Sequence, residues 1–428
     1  MIPTSSQPES DAIVLQLRDD RGGVSQEVTN FVSYAFNSHF LTPTDGFHFT
    51  IGDEAVLRSL LGAVCVGQRV SLTINGLRQA DGYVDRIHVR SSREGGTELT
   101  IEGRDRLSKV VDANADPQKY RFTANNTLED VLVYTLNGFG WTEDHVLNDN
   151  AANANIITGQ LQGQRTSKKG KLLKSFSLHQ FKPYPQEGVF GFLSRLSQRF
   201  GLWIWLSADG EDVIVSRPNF EQPAIGRIVH KLSDTGQNNV VTGECAINGT
   251  NQPTMIIATG FGGGGEYDRS HMKVIMVNEL TGLTAGGLYR AEVRDTLLDH
   301  PEATVLDARG QLGSLLVNDG VVGNMVKAPH RPIYLHDDES KTIEQLENFV
   351  RREMALRQRD GITAHYTFEG HTLQGSPWCV DTIVDVDDDV LGLHTRMWVM
   401  SRTFEKSRMG GTTTTVELIM PYTLEFGE

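Results

Sequence analysis

The chain has 428 residues, 39% hydrophobic and 22% charged, which is the balance of a folded soluble protein and leaves room for roughly two to four domains. The formal net charge is −14, so a general phosphate-binding surface, which needs clustered Lys and Arg, is not expected. The three cysteines, Cys65, Cys245 and Cys379, stand far apart with no CxxC pair, which argues against a disulfide scaffold or zinc site and for folding in a reducing cytoplasm.

Residues 1–10 read as an N-terminal tail. The opening MIPTSSQPESDAIVLQL has no basic n-region, and the apolar LLGAVCVG at Leu60–Gly67 is too short to span a bilayer, so neither a signal peptide nor membrane anchoring is expected. Over 11–115 the signal is β. VSLTING (Val70–Gly76), GYVDRIHVR (Gly82–Arg90) and TELTIEG (Thr97–Gly103) are β-branched runs punctuated by Gly, Asn and Asp. Gly95-Gly96 between the last two marks a hairpin, because Gly supplies the positive φ that tight turns need.

Over 116–225 the pattern changes to a small α+β domain. NNTLEDVLVYTLNGFG (Asn125–Gly140) predicts a helix with Thr127 as N-cap, Asp130 three residues on and Gly138 as stop. QEGVFGFLSRLSQRFG (Gln186–Gly201) predicts a second, with Val189, Leu193, Leu196 and Phe200 at spacings of three and four. LWIWLSADGEDVIVSRP then predicts a hairpin turning at Asp209-Gly210. Between the helices GQLQGQRTSKKGKLLK is the most basic patch. A solvated loop is its plainer reading, with a nucleic-acid contact left open.

Over 226–428 β returns. TMIIATG (Thr254–Gly260), MKVIMVN (Met272–Asn278) and HYTFEGH (His365–His371) are strand-like. A long helix over 341–360 interrupts them, with Thr342 and Gln345 as a capping box, Ile343, Leu346, Val350 and Met354 on one face and Gly361 at its end. The chain closes with RMWVMSRTFEK, a Gly410-Gly411 turn and TTTTVELIMP.

SREGGT (Ser92–Thr97) and SRMGGT (Ser407–Thr412) thus sit at the turns of two hairpins. Aligning them pairs Tyr83 with Trp398, Val84 with Val399, Val89 with Phe404, Ile101 with Val416 and Glu102 with Glu417, against the mismatch of Ile87 with Arg402. The pattern favours a duplicated β-domain over coincidence.

Candidate chemistry is sparse. DVDDDVLGLHTR (Asp385–Arg396) spaces acids like an EF-hand loop, but Val390 replaces the glycine the bend needs and Arg396 the final bidentate Glu, so an acidic hairpin tip is expected instead of a calcium site. GFGGGG (Gly260–Gly265) lacks the Lys-Ser/Thr of a phosphate loop and no helix pattern follows it. His330, His336, His365 and His371 scatter around strands in surface or core roles, and Trp203, Trp205 and Trp398 read as core rather than carbohydrate platforms. There is no HExxH, GxSxG or Cys-His pattern; no catalytic residue, cofactor or metal is expected.

ELTIEGRDRLSKVVDANADP (Glu98–Pro117) resembles the phage Mu P-like tail protein family, the baseplate hub proteins of contractile tails. Further blocks resemble the family in the same order: the helix, Asp-Gly hairpin and Arg-Pro of Gly188–Pro218, the Arg-Pro strand and helix of Lys327–Arg357, and the closing Gly-His, Gly-x-x-Trp and Thr-rich hairpin of Phe368–Pro421. Departures are an elongated Gly-rich loop near Gly262 and extra sequence over 284–324. The resemblance implies a mainly β fold with two tail-tube-like antiparallel β-barrels, a small α+β domain and one long helix. It implies a non-enzymatic homotrimer whose six barrels join a six-fold tail tube to a three-fold central spike and line the DNA and tape-measure channel. The implied partners are the spike, tail tube or tube-initiator, baseplate wedge and tape measure proteins, with DNA only in transit. The implied place is the virion tail baseplate, assembled in the bacterial host cytoplasm. The alternatives are a tail-associated cell-wall hydrolase and the hub of a tailocin or other contractile injection system. The residues singled out are the hairpin tips Gly95, Gly96, Gly410 and Gly411.

Overall fold

The computed structural model describes residues 11–19, 23–93, 96–120, 122, 126–147, 182–233, 235–250, 252–261, 271–277, 299, 303–307, 331–338, 340, 342–407 and 411–421. Gly95, Gly410, His330, the basic stretch between the helices and the glycine run after Phe261 lie outside the described residues.

The N-terminal β-region contains β1 (Ile13–Arg18), β2 (Val24–Val28), β3 (Ser33–His39), β4 (Gly46–Ile51), β5 (Arg69–Ile74), β6 (Leu77–Ser92) and β7 (Gly96–Asp105). Alternate residues point inward, so Leu15, Leu17, Phe47, Phe49, Leu72, Ile74, Leu99 and Ile101 form one core. A short helix, α1 (Glu54–Leu60), adds Leu57 and Leu60 to that core. Asp53 starts it by accepting from the amides of Ala55 and Val56, two donors the first helical turn leaves unsatisfied.

The α+β segment contains α2 (Ser108–Asp112), α3 (Leu128–Asn137), β8 (Val146–Leu147), α4 (Val189–Gln198), β9 (Trp203–Leu206) and β10 (Val213–Ser216). Thr127 and Asp130 form the expected capping box, and Val131, Leu132 and Leu136 pack with Phe192, Leu193 and Leu196. Gly210 turns the β9–β10 hairpin at φ +74°. A Cβ there would lie 2.8 Å from the Asp81 amide nitrogen, so this turn must be glycine both to bend and to rest on β6.

The remaining elements are β11 (Ala224–His230), β12 (Thr242–Ile247), β13 (Met255–Phe261), β14 (His271–Val277), β15 (Thr304–Asp307), β16 (Pro332–Asp337), α5 (Ile343–Arg359), β17 (Ile362–Glu369), β18 (Thr372–Leu373), β19 (Ser376–Pro377), β20 (Thr382–Asp388), β21 (Leu393–Ser407) and β22 (Gly411–Ile419). The fold is mainly β, with two antiparallel barrel-like regions sharing one sheet in the order β12-β17-β22-β21-β3-β4-β7-β6-β5-β1-β2, while β20 joins β21 and carries β11. Within this sheet β11–β20 is the parallel pair.

β13 and β14 are strands, as the sequence predicts, but they belong to a separate mixed sheet, β15-β14-β13-β16. Both faces of these strands are apolar. Ile256, Ala258 and Val274 lie under Leu346, Val350 and Met354 of α5, while Met255, Ile257 and Ile275 pack on the other side. Strands apolar on both faces need cover on both faces, which suits a sheet carrying its own helix. Among the described residues no helix is long and apolar enough to cross a membrane.

Candidate assembly surface

The hairpins β6–β7 and β21–β22 share one register. Each backbone pair from Trp398↔Ile419 to Ser407↔Gly411 has its counterpart, at constant offset, between Tyr83↔Arg104 and Ser92↔Gly96. The counterparts include a β-bulge. Asp85 is the extra residue between Val84↔Gly103 and Arg86↔Glu102, and Met400 that between Val399↔Leu418 and Ser401↔Glu417. Gly96 and Gly411 begin the returning strands at φ +72° and +70°. The neighbouring strands agree as well. Thr50 Oγ1 lies 3.3 Å from Thr100 Oγ1 across β4–β7, and Thr367 Oγ1 lies 3.2 Å from Thr415 Oγ1 across β17–β22.

The two barrel regions are joined by strand pairing. The outer arm of β21 pairs antiparallel with β3, from Ser401↔His39 to Lys406↔Tyr34. Phe36 and Phe404 face each other within this joint, ring centroids 6.2 Å apart. At its root Phe40 packs 4.9 Å from both Trp205 and Trp398, so the first barrel, the α+β sheet and the second barrel meet at one aromatic cluster. Trp205 and Trp398 are therefore core, as expected.

Polar groups inside the joint are satisfied by partners distant in sequence. The Arg402 guanidinium donates to Gln79 Oε1 at 2.7 Å, to Ser38 Oγ at 3.4 Å and to the Trp378 carbonyl, and lies over the Phe404 ring. Burial pulls its pKa down, opposed in part by the nearby Asp45 carboxyl. His371 is fully buried, with Nε2 2.7 Å from Tyr34 Oη and Nδ1 2.9 Å from Thr414 Oγ1. Thr414 Oγ1 donates to the Gly370 carbonyl, so His371 Nδ1 carries the proton and Nε2 accepts from Tyr34. Burial lowers this imidazole to a pKa of about 4. Neither Arg402 nor His371 stands out in the sequence as a structural centre. The one hint is that Arg402 breaks the alignment by falling on Ile87.

The acidic segment forms the end of β20, a turn and the start of β21. Asp388 Oδ1 accepts from the amides of Val390 and Leu391 and so shapes the turn. Asp387, Asp389 and His394 bring ligand atoms close together, but Lys231 Nζ already sits 2.5 Å from Asp387 and 2.9 Å from Asp389. The Lys231 hydrogen bond, then that of His394, holds Asp387 at a pKa of about 2. The cluster is an ion-pair network built on a protein cation. His336, by contrast, is at the surface beside Thr259 and Asp338.

Among the described residues β2, β11, β12 and the outer arm of β6 each have an unpaired edge, and two of these, the arm and β12, correspond to the strands of the internal joint. Beyond the bulge, Arg86–Ser91 pair with β7 on one side and with no described strand on the other. β12 pairs only with β17 among the described residues.

No protein-family model and no curated protein matches the chain. Solved structures do. The tail protein from Neisseria meningitidis MC58 is 19% identical with a TM-score of 0.68, over 97% of this chain and 99% of that one. The 43 kDa tail protein of prophage MuSo2 from Shewanella oneidensis is 16% identical with a TM-score of 0.66, over 97% and 100%. A chain of the half-lidded Francisella PdpA–VgrG complex is 11% identical with a TM-score of 0.51, over all of this chain and 60% of that one. The chain therefore has the fold of the two tail proteins across nearly its whole length.

Proposed function

We propose that the protein is a structural hub of a contractile phage tail, a homotrimer that joins the six-fold tail tube to a three-fold central spike. The observation that carries this reading is the repeated hairpin, with its bulge and flanking threonines, in two barrel regions of one chain. A chain with two like barrels forms six like positions from three copies, so one face can meet a six-fold partner while the chain itself obeys three-fold symmetry. The likeness to two tail proteins, one of them from a prophage, over almost the full length supports the tail setting. On this reading the spike, tube or tube-initiator, wedge and tape measure proteins contact the ring, DNA passes through it, and the protein works by geometry without catalysis. A tailocin or another injection system would use the same ring. Native mass spectrometry of the purified chain tests the reading: a species of three chain masses is expected, and a stable dimer or hexamer would oppose it.

A further inference from the structure

The joint inside the chain shows how a barrel of this type receives a strand from its neighbour. β3, beside β4, pairs with the outer arm of β21. Among the described residues the corresponding positions at the far ends have no strand partner. β12 lies beside β17 as β3 lies beside β4, and the Thr50 and Thr367 correspondence fixes the alignment: Ser33 opposite Thr50 matches Thr242 opposite Thr367. The arm Arg86–Ser91 corresponds to Ser401–Lys406.

We propose that the arm of β6 in one copy pairs antiparallel with β12 of a second copy, in the register of the internal β3–β21 joint. This rests on the reading that copies assemble into a ring, and it names the strands that close it. The transferred register sets Ile87 opposite Ile247, Val89 opposite Cys245, Arg90 opposite Glu244 and Ser91 opposite Gly243 in the neighbour.

The residues suit those places. Val89 corresponds to Phe404 and Cys245 to Phe36, the pair that buries the internal joint. Phe404 is 1% exposed because β3 covers it, whereas Val89 is 47% exposed and Ile247 is 36% exposed in the single chain. Directly opposed side chains share a face, so Val89 and Ile87 would be covered by Cys245 and Ile247 as Phe404 is by Phe36. Arg90 against Glu244 adds an opposite-charge pair on the other face. The Ile87–Arg402 mismatch also acquires a reason. Arg402 meets the buried polar groups of the internal joint, while Ile87 would meet Ile247. The contact is head-to-tail, so it propagates from copy to copy until the ring closes, and it covers backbone edges otherwise open to unspecific pairing.

Oxidative cross-linking tests this. Val89→Cys is made in a Cys65→Ser background, which removes the exposed thiol, and the mass of the assembly is measured alongside. Directly paired antiparallel residues fall within disulfide reach. A Val89→Cys to Cys245 bond between chains is expected, lost when Cys245→Ser is added, with at least a tenfold weaker yield for His88→Cys, whose side chain lies on the other face. Arg90→Glu should reduce the yield and Arg90→Glu with Glu244→Arg should restore it. An assembly without this bond, a bond that survives Cys245→Ser, or equal bonding by His88→Cys overturns the seam while leaving the ring intact. A monomer that gives no bond overturns both.

Discussion

Asp85 and Met400 are the extra residues of β-bulges at the same point of two hairpins in the two barrel regions. The bulge changes which residues face the core. Val84 faces inward before it and Ile87 after it, three positions on, just as Val399 precedes Arg402 in β21. Deleting Asp85 makes Val84↔Gly103 and Arg86↔Glu102 consecutive pairs, so the arm keeps its faces but loses the bend and added twist that the bulge gives it. The expected outcome is a chain that folds with a lower melting temperature and no longer assembles, read by thermal circular dichroism and by particle mass.

Arg402→Ala leaves Ser38, Gln79 and the Trp378 carbonyl inside the joint without their cation. A loss of about 1–3 kcal/mol in unfolding free energy is expected from denaturant titration, the range for a buried polar group left without its partner. Arg402→Met, which keeps the volume, should cost less than the alanine.

Gly103 shows why the two hairpins are not interchangeable in sequence. A Cβ there would lie 2.2 Å from the Tyr83 carbonyl and 2.4 Å from Phe47, whereas the corresponding position in β22 holds Leu418. Gly103→Ala should destabilise by about 1–3 kcal/mol, measured by the same titration.

The His371 imidazole is held at about 4 by burial against its ordinary 6.5. The unfolded chain therefore binds a proton more readily than the folded one between these values, and stability falls as pH drops from about 6.5 towards 4. The full effect is up to about 3 kcal/mol. Half-buried Asp45 and buried Asp105 have pKa values raised by desolvation and act in the opposite sense, so the measurement is the difference between the parent chain and His371→Gln. The difference should shrink across that window as protonation removes the Tyr34 acceptor.

Calcium titration should give no saturable heat at micromolar concentration, because Lys231 holds Asp387 and Asp389 and the turn lacks the glycine and final Glu of a calcium loop. Saturable heat that Asp387→Ala abolishes would contradict the ion-pair assignment.

What the sequence discloses and what it hides divide by range. The hairpin β6–β7, the Thr127–Asp130 cap of α3, the Asp209-Gly210 turn and the long helix α5 are local, set by residues a few positions apart. The β3–β21 joint, the sheet beneath α5 and the burial of Arg402 depend on partners far away in the chain. An arginine in a Thr-rich hairpin reads as solvated because nothing near it announces Ser38, Gln79 and Trp378. Similarly, apolar strands such as β13 do not reveal which sheet they will enter.

The most direct test of the central claim is electron microscopy of a tail particle containing this chain, at a resolution that separates strands. The account predicts a ring of three chains, each giving two barrels, with the β6–β7 and β21–β22 hairpins at equivalent positions around six places. A ring of six chains, or hairpins at unrelated positions in the ring, would contradict it.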